Sequence, residues 1–188
     1  MTETQTRRQQ LLDTAADLFA ARGFHGVSVA DLGAACGISG PALYKHFPSK
    51  EALLAEMLVA ISERLLEEGQ VRVAAAPSPG AALASLVDWH VDFALRHRAL
   101  IVVQDRDWSS LPAESREQVR GLQRSYVDLW AAQLRLLDPG LDLAAARAMA
   151  HAAFGLINST PHSGLLPDEE MRAVLTAMAL RALSSRRT

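Results

Sequence analysis

Apolar residues recur along most of the chain at the three- and four-residue spacing of α-helices. Gly23 predicts the end of the first helix, since glycine adopts the left-handed conformation that often closes a helix. Strand-type alternation does not occur in the sequence. The pattern therefore predicts an all-α protein of about nine helices. The first helix shows it well, because residues 6–24 place four apolar side chains on one face: Leu11, Ala15, Leu18 and Phe19.

The chain next predicts two short helices in quick succession. Ser28 with Asp31 three residues later has the sequence of a capping box, which favours a helix over Ser28–Cys36. Gly37 follows as a turn, and a second short helix is predicted over Ser39–Phe47. An isolated helix of this length is marginal in water, so tertiary contacts are expected to stabilise it. Two short helices joined by a glycine turn are the pattern of a helix-turn-helix motif.

The second short helix has one face that can pack and another that can meet DNA. Leu43 and Phe47 lie four residues apart, so they share a face that we expect to pack on the first two helices. In a helix-turn-helix motif the second helix enters the major groove. Its other side would contact bases and phosphates through Gly40, Pro41, Ala42, Tyr44, Lys45 and His46, with Lys50 adding a phosphate contact.

The clearest break in the chain is PSPG, Pro77–Gly80. Before it, the apolar spacing predicts one long helix over about residues 50–75. After it, helical patterns cover residues 81–98, 99–108, 114–137, 142–160 and 168–185.

Composition narrows the class of protein without naming a partner. The 188 residues carry a formal net charge of −2, so DNA binding would depend on where the charges lie and not on overall basicity. No apolar run approaches the roughly 20 residues of a membrane-spanning helix, and the first residues lack the apolar core of a signal peptide. The single cysteine, Cys36, allows no internal disulfide. A cytoplasmic soluble protein is expected.

Motifs of enzymes and metal sites do not occur in the sequence. It has no glycine-rich phosphate loop, nucleophile elbow or paired acid motif, so we predict that the protein is not an enzyme. His90 and His97 are seven residues apart, which is too far for a helical pair of metal ligands at i and i+4. We predict neither a metal nor a cofactor.

The residues alone leave two classes of function open. In the first, the short helices insert into duplex DNA. In the second, they form a structural hairpin in which Tyr44 only packs, as part of a helical interaction module that binds another protein. Binding that weakens steeply with salt would separate the two classes, because phosphate contacts release counterions.

The individual residues of the N-terminal segment are more informative about the protein family than its pattern of apolar positions. The stretch AADLFAARGFHGVSVADLGAACGISGPALYKHFPSKEALL, residues 15–54, resembles the DNA-binding half of the TetR/AcrR family of bacterial transcriptional repressors. The match runs from about Arg8 to Leu58. Gly33 and Cys36 depart from the family pattern. The matching positions are Leu18-Phe19, Gly23-Phe24, Ser28-Val29, Gly37, Ser39, Leu43-Tyr44, His46-Phe47 and Ser49-Lys50-Glu51.

The resemblance implies a dimeric repressor that binds a palindromic operator and is released by a small hydrophobic or acyl-CoA-type effector. It implies a DNA-binding domain over residues 1–50 and a ligand-binding and dimerisation domain over residues 51–188, with the helix of about 50–75 as connector. Arg7 and Arg8 either reach an adjacent minor groove or belong to a solvated tail. The residues it places on the operator are Ser39, Gly40, Pro41, Ala42, Tyr44, Lys45 and His46, with Ser28 and Lys50 on phosphates.

Family members dimerise through their last two helices, and the end of this chain agrees with that arrangement. One helix carries small residues that allow close approach of another helix, and the other carries an apolar stripe. Both features could instead belong to an ordinary core. The candidate dimer residues are Ala145, Ala148, Ala152, Gly155, Met171, Val174, Leu175 and Met178.

The resemblance also implies an effector pocket among the middle helices. A fainter similarity of QDRDWSSLP and AAFGLINSTPHS to regulators of lipid or sterol breakdown implies an acyl-CoA effector, for which Arg96, Arg98 and Arg106 would supply cations. A hydrophobic drug-like effector is the alternative. The candidate pocket residues are Trp89, Phe93, Arg96, Val103, Arg106, Trp108, Leu122, Gln123, Tyr126, Trp130, Phe154 and Asn158.

Overall fold

A computed structural model describes residues 7–184 and confirms the all-α prediction. Within those residues there are nine α-helices, two short 3-10 turns and no strand. None of these helices combines the length and the apolar character that crossing a membrane requires. The helices are α1 (Arg7–Arg22), α2 (Val29–Ala35), α3 (Gly40–Leu43), α4 (Lys50–Ala75), α5 (Pro79–Arg96), α6 (Arg98–Asp107), α7 (Ala113–Leu137), α8 (Leu143–Ile157) and α9 (Asp168–Ser184).

Local sequence signals explain where the first helices begin and end. Gly23 follows α1 with φ +79°, and Gly37 follows α2 with φ +67°, a backbone region that favours glycine. The Ser28 side chain accepts a hydrogen bond from the Asp31 amide and the Asp31 side chain accepts one from the Ser28 amide, which confirms the predicted capping box. Ser39 caps α3 in the same way through the amide of Ala42.

The segment that contains α3 is less regular than the predicted helix over Ser39–Phe47. Only Gly40–Leu43 is α-helical, and the chain continues through tighter turns as far as Phe47. Proline at position 48 disfavours the helical conformation for Phe47, so the segment does not continue as a helix beyond that residue. We call residues 39–47 the recognition segment.

Contacts divide the chain into two compact units, described separately here. The first unit contains the described residues up to Ile61 together with Ala99–Val119. Its core is formed by apolar side chains of α1 to α4, together with three residues from the later segment. These side chains include Phe19, Leu32, Leu43, Phe47, Leu54 and Leu58, and the later segment adds Val103, Leu111 and Val119.

The second unit contains Ser62–Arg98 and the described residues from Arg120 onward. Within it α5 packs on α8 and α9, and α8 packs on α9. Its core includes the fully buried side chains of Leu86, Val87, Trp130 and Ile157. The helices α4 and α7 each contribute residues to both units.

Candidate functional site

The recognition segment approaches α2 closely because a glycine lies at the crossing. Gly33 is buried, and a Cβ atom there would lie 2.8 Å from both the amide nitrogen of Gly40 and the carbonyl oxygen of Ile38. Since backbone atoms cannot turn aside as side chains do, only glycine fits this contact. The departure from the family pattern at Gly33 is therefore part of what positions the recognition segment.

The recognition segment exposes one face and buries the other, as its sequence predicts. Leu43 and Phe47 are 3% and 1% exposed and belong to the core of the first unit. Tyr44 is 52% exposed, although a large apolar ring of this kind is normally covered. The other predicted operator contacts are exposed at Ser39, Pro41 and Lys45 and half-buried at Gly40, Ala42 and His46.

Arg8 contacts the C-terminal end of the recognition segment. Its guanidinium donates to both carboxylate oxygens of Glu56, each at 2.5 Å, and to the carbonyl oxygen of His46 at 2.7 Å. It also lies 4.4 Å from the centroid of the Phe47 ring. Arg7 donates to the carbonyl oxygen of Cys36 at 2.7 Å. Both arginines, expected to reach a minor groove or to be solvated, thus have partners within the chain.

Lys50 and Ser28, the two predicted phosphate contacts outside the recognition segment, also have partners. The Lys50 ammonium donates to the carbonyl oxygens of Phe24 and Val27, each at 2.8 Å, and lies 4.2 Å from the Phe24 ring centroid. An ammonium has three N–H donors, so one is left for a phosphate. Ser28 is occupied with capping α2, and its hydrogen bonds lower the pKa of Asp31.

Three predicted pocket residues lie instead in the first unit. Arg106 donates to the carbonyl oxygens of Phe19 and Ala20 at the end of α1, which need partners because helix ends leave carbonyls unpaired. Asp107 is buried; it accepts from the amide of Phe24 at 3.3 Å and pairs with Arg106. Val103 and Trp108 pack in or against the core of this unit. We therefore leave Val103, Arg106 and Trp108 out of the candidate pocket.

Five aromatic side chains gather in the second unit, and four of them were predicted pocket residues. We call them the aromatic cluster: His90, Phe93, Tyr126, Trp130 and Phe154. His90 is stacked on Phe154 with ring centroids 4.6 Å apart, and the ring centroids of Tyr126 and His90 are 5.7 Å apart. Trp130 stands nearly perpendicular to the rings of His90 and Phe154.

His90 lies at the centre of the aromatic cluster, although its sequence context gives no sign of that role. Its Nε2 atom lies 3.2 Å from Oδ1 of Asn158, another predicted pocket residue. Burial lowers the pKa of His90 to about 4, so the ring is uncharged near neutral pH. Burial also raises the pKa of Tyr126 above its ordinary value.

The remaining predicted pocket residues lie outside the cluster or are paired elsewhere. Trp89 is buried, and the guanidinium carbons of Arg64 and Arg72 lie 5.8 Å and 5.4 Å from its ring centroid. The predicted cations are ion-paired, Arg96 with Asp92 at 2.9 Å and Arg98 with Asp168 at 2.6 Å. Leu122 and Gln123 are half-buried on α7.

Gly69 on α4 faces Tyr126 directly. A Cβ atom at Gly69 would lie 2.8 Å from Cε2 of Tyr126, and within 3.0 Å and 3.3 Å of the tips of Leu129 and Leu86. Glycine inside a helix costs about 1 kcal/mol relative to alanine, so its presence in a 26-residue helix marks a close contact. Gly69 is not among the predicted site residues, although a glycine inside a predicted long helix is a signal of such a contact.

The predicted dimer residues separate into an exposed set and a buried set. On α8, Ala148, Ala152 and Gly155 are exposed and Ala145 is half-buried. On α9, Val174 and Met178 are exposed at 41% and 51%. Met171 and Leu175 instead point into the core of their own chain, because the apolar stripe of α9 is wider than the face that α5 and α8 cover.

Neither a metal centre nor a reactive thiol stands out in residues 7–184. There, no group of three or more histidine, cysteine or acidic side chains could hold a metal ion. Cys36 is buried, and its burial raises the pKa of the thiol, which opposes formation of the reactive thiolate.

Known proteins resemble this chain in both sequence and fold. A family model described as bacterial regulatory proteins, tetR family, matches residues 11–57, and one described as the tetracyclin repressor-like C-terminal domain matches residues 76–183. The HTH-type transcriptional repressor KstR2 of Rhodococcus jostii (strain RHA1) is 33% identical over 125 residues, which cover 66% of this chain and 61% of the relative. The chain thus spans about three fifths of the length of this curated relative.

Two solved structures show how far the similarity in fold extends. A TetR-family transcriptional regulator from Bordetella parapertussis 12822 has a TM-score of 0.82 and 25% identity, covering 92% of this chain and 93% of that chain. AibR, solved in complex with isovaleryl coenzyme A and operator DNA, has a TM-score of 0.74 and 23% identity, covering 92% and 97%. With family models matched in both halves, the chain belongs to the TetR family of bacterial transcriptional regulators.

Proposed function

We propose that the protein is a ligand-responsive transcriptional repressor that binds a palindromic operator as a homodimer in the cytoplasm. The observation that carries the proposal is the recognition segment, which exposes Tyr44 and Lys45 while Leu43 and Phe47 anchor it in the core. The tyrosine ring can contact a thymine methyl group, and the lysine can reach guanine or phosphate. The named relative KstR2 is a transcriptional repressor, which supports the same function.

The exposed apolar residues of α8 and α9 support a homodimer. Ala148, Ala152 and Gly155 let another helix approach closely, and Val174 and Met178 offer apolar area to it. One helix-turn-helix module buries little surface on DNA, so two modules are needed for useful specificity. Two copies would place their recognition segments about 34–36 Å apart, one turn of DNA.

The second unit is where we place the effector. Phe93, Tyr126, Trp130, Phe154 and Asn158 gather around His90. The effector is a small hydrophobic molecule or an acyl-CoA thioester, and AibR supports the second option because its structure holds isovaleryl coenzyme A. The effector must bind the DNA-incompetent state more tightly, since only a difference in affinity shifts an equilibrium. The helix α4, which has residues in both units, carries the change.

Substitution of Tyr44 tests the assignment of the recognition segment. A duplex enriched from a random pool by the wild-type protein serves as the operator. Tyr44→Ala should weaken binding to this duplex about tenfold or more, because a lost base contact costs about 1–3 kcal/mol. Fluorescence anisotropy at several salt concentrations measures the affinity and its salt dependence.

Two controls show whether a loss of DNA affinity in Tyr44→Ala comes from the lost ring contact. Light scattering should show the same dimer mass for Tyr44→Ala and wild type, and Tyr44→Phe should retain contacts made by the ring. If Tyr44→Ala binds the enriched duplex as tightly as wild type, the assignment is wrong. If no duplex is enriched and binding shows no salt dependence, a helical module that binds another protein becomes the better description.

A further inference from the structure

Arg8 joins three elements of the first unit through one side chain. It lies in the first turn of α1, Glu56 lies on α4, and His46 and Phe47 form the C-terminal end of the recognition segment. Each of its three guanidinium nitrogens donates within the chain. Nε and one terminal nitrogen donate to the Glu56 carboxylate, and the other terminal nitrogen donates to the His46 carbonyl oxygen. The recognition segment and α4 are therefore connected to each other through Arg8.

The end of the recognition segment that Arg8 contacts has little regular helix to support it. The helix α3 is four residues long, and the chain then continues through tighter turns. Carbonyls at the end of a helix have no partner within that helix, and the His46 carbonyl accepts its hydrogen bond from Arg8. The same guanidinium lies over the Phe47 ring. Tyr44 and Lys45 come directly before this end, so its position determines theirs.

The contacts of Arg8 depend on the shape of its side chain as well as on its charge. A guanidinium can bind both oxygens of one carboxylate while another of its N–H groups points elsewhere. A lysine ammonium keeps the charge but cannot reproduce this fork. The side chains of Arg8 and Glu56 are 45% and 36% exposed, and exposed ion pairs contribute little to global stability. We therefore expect variants at these two positions to fold and to differ from wild type in local geometry.

We propose that Arg8 is a positioning residue for DNA recognition, which fixes the recognition segment to α4 through Glu56 and does not itself bind DNA. This proposal rests on the proposed function, because it assigns how the same DNA-binding surface is held in place. Glu56 and a DNA phosphate would compete for one guanidinium. A positioning role and a phosphate contact therefore predict opposite effects when the charge of Glu56 is removed.

The variant Glu56→Gln gives the first test, with fluorescence anisotropy on the enriched duplex. The affinity should fall about fivefold or more, because the charge-assisted pair that fixes the recognition segment is lost. Unchanged or tighter binding, the result expected if Arg8 binds phosphate, would overturn the proposal. In an Arg8→Met background the pair is already broken, so Glu56→Gln should cause no further loss. A second loss of the same size would show that Glu56 acts independently of Arg8, which also contradicts the proposal.

A scrambled duplex of the same composition separates positioning from phosphate binding, since base contacts carry sequence information and phosphate contacts do not. Arg8→Lys should bind the enriched duplex about fivefold more weakly or worse and the scrambled duplex as wild type does. Equal losses on both duplexes, or no loss on either, would overturn the proposal. Arg22, at the other end of α1 and paired with Asp31, provides the matched control: Arg22→Lys should leave both affinities within about twofold of wild type.

Hydrogen exchange measured by NMR on the DNA-free protein tests the positioning itself. The amides of His46 and Phe47 donate to the carbonyl oxygen of Leu43 within the recognition segment. In Arg8→Lys these two amides should exchange about fivefold faster or more than in wild type, because the segment opens locally, while the amides of the α4 core exchange as in wild type. Wild-type exchange at both positions, or faster exchange throughout the first unit, would contradict the proposal.

The positioning role and the proposed function fail in distinguishable ways. If the wild-type protein enriches no duplex, the proposed function is contradicted, and hydrogen exchange alone decides whether Arg8 holds the recognition segment. If wild type binds an enriched duplex and Arg8→Lys binds both duplexes like wild type, the proposed function stands and the positioning role of Arg8 is wrong.

Discussion

The two units of the protein differ in how some of their polar groups are paired. In the first unit, Lys50, Arg106 and Asp107 hydrogen-bond to backbone groups of residues 19–27. In the second unit, Nδ1 of His90 and Nε1 of Trp89 are buried without a hydrogen-bond partner in the described residues. Satisfied networks fix a single geometry, whereas unpaired groups are tolerated where another molecule completes them. The difference fits the proposal that the first unit binds DNA and the second unit holds the effector.

Glycine contacts show the same contrast. Gly33 in the first unit faces backbone atoms of Ile38 and Gly40, which cannot move without moving the recognition segment. Gly69 in the second unit faces the ends of side chains, among them Tyr126. The same substitution at the two glycines should therefore have different consequences.

The largest effect is expected for Gly33→Ala. The added methyl group meets backbone at 2.8 Å, so the recognition segment must shift, and overpacking of this kind costs about 3 kcal/mol. Urea denaturation should show that loss of stability, and the affinity for the enriched duplex should fall at least tenfold. Wild-type DNA affinity in Gly33→Ala would show that the contact between α2 and the recognition segment is adaptable after all.

A second prediction concerns pH and the buried histidine, His90. Folding lowers the pKa of His90 from 6.5 to about 4, so the unfolded chain binds a proton at a pH where the folded chain does not. This contribution to stability is complete above about pH 6.5 and is lost as the pH falls towards 4. At pH 5 the loss amounts to about 2 kcal/mol.

The variant His90→Gln isolates the contribution of His90 to the pH dependence of stability. Free energies of unfolding are measured at pH 7.5 and pH 5.0 for both proteins. The other five histidines are present in both proteins, so their contributions cancel in the comparison. Wild type should lose about 2 kcal/mol more than the variant on acidification; equal losses would mean that His90 titrates normally and is not sealed from water.

The smallest effect on stability is expected for Gly69→Ala. Its methyl group meets side-chain atoms and not backbone, and the gain in helix propensity of about 1 kcal/mol offsets part of the cost. The free energy of unfolding should stay within about 1 kcal/mol of wild type. Near-ultraviolet circular dichroism should change, because Tyr126 must move. A loss of stability as large as that of Gly33→Ala would show that the two glycine contacts do not differ in how well they accept a methyl group.

Features encoded locally could be predicted from the sequence. The capping box of Ser28, the glycine turn after α2 and the shared buried face of Leu43 and Phe47 each depend on residues within a few positions. Phe93, Tyr126, Trp130 and Phe154 are among the candidate pocket residues that the family resemblance implies, and their side chains lie together in the second unit. Their role in binding an effector stays a prediction.

Contacts between distant positions could not be predicted in this way. Arg106 binds carbonyls 86 and 87 residues earlier in the chain, so its polar neighbours in the sequence gave no indication of its partner. Arg8 was assigned to DNA or solvent because its cationic character is visible in the sequence and Glu56 and the His46 carbonyl are not. The central role of His90 depends in the same way on Phe154 and Asn158.

Because α4 is a single unbroken helix, a rotation of its axis at Gly69 would displace the N-terminal end of the helix. Gly69 and Lys50 are 19 positions apart on α4, about 28 Å along the axis. A rotation of the axis by only about 5° about Gly69 therefore displaces Lys50 by about 2.5 Å. The Lys50 ammonium holds the carbonyls of Phe24 and Val27, and a displacement of that size would be comparable to the length of one of these hydrogen bonds.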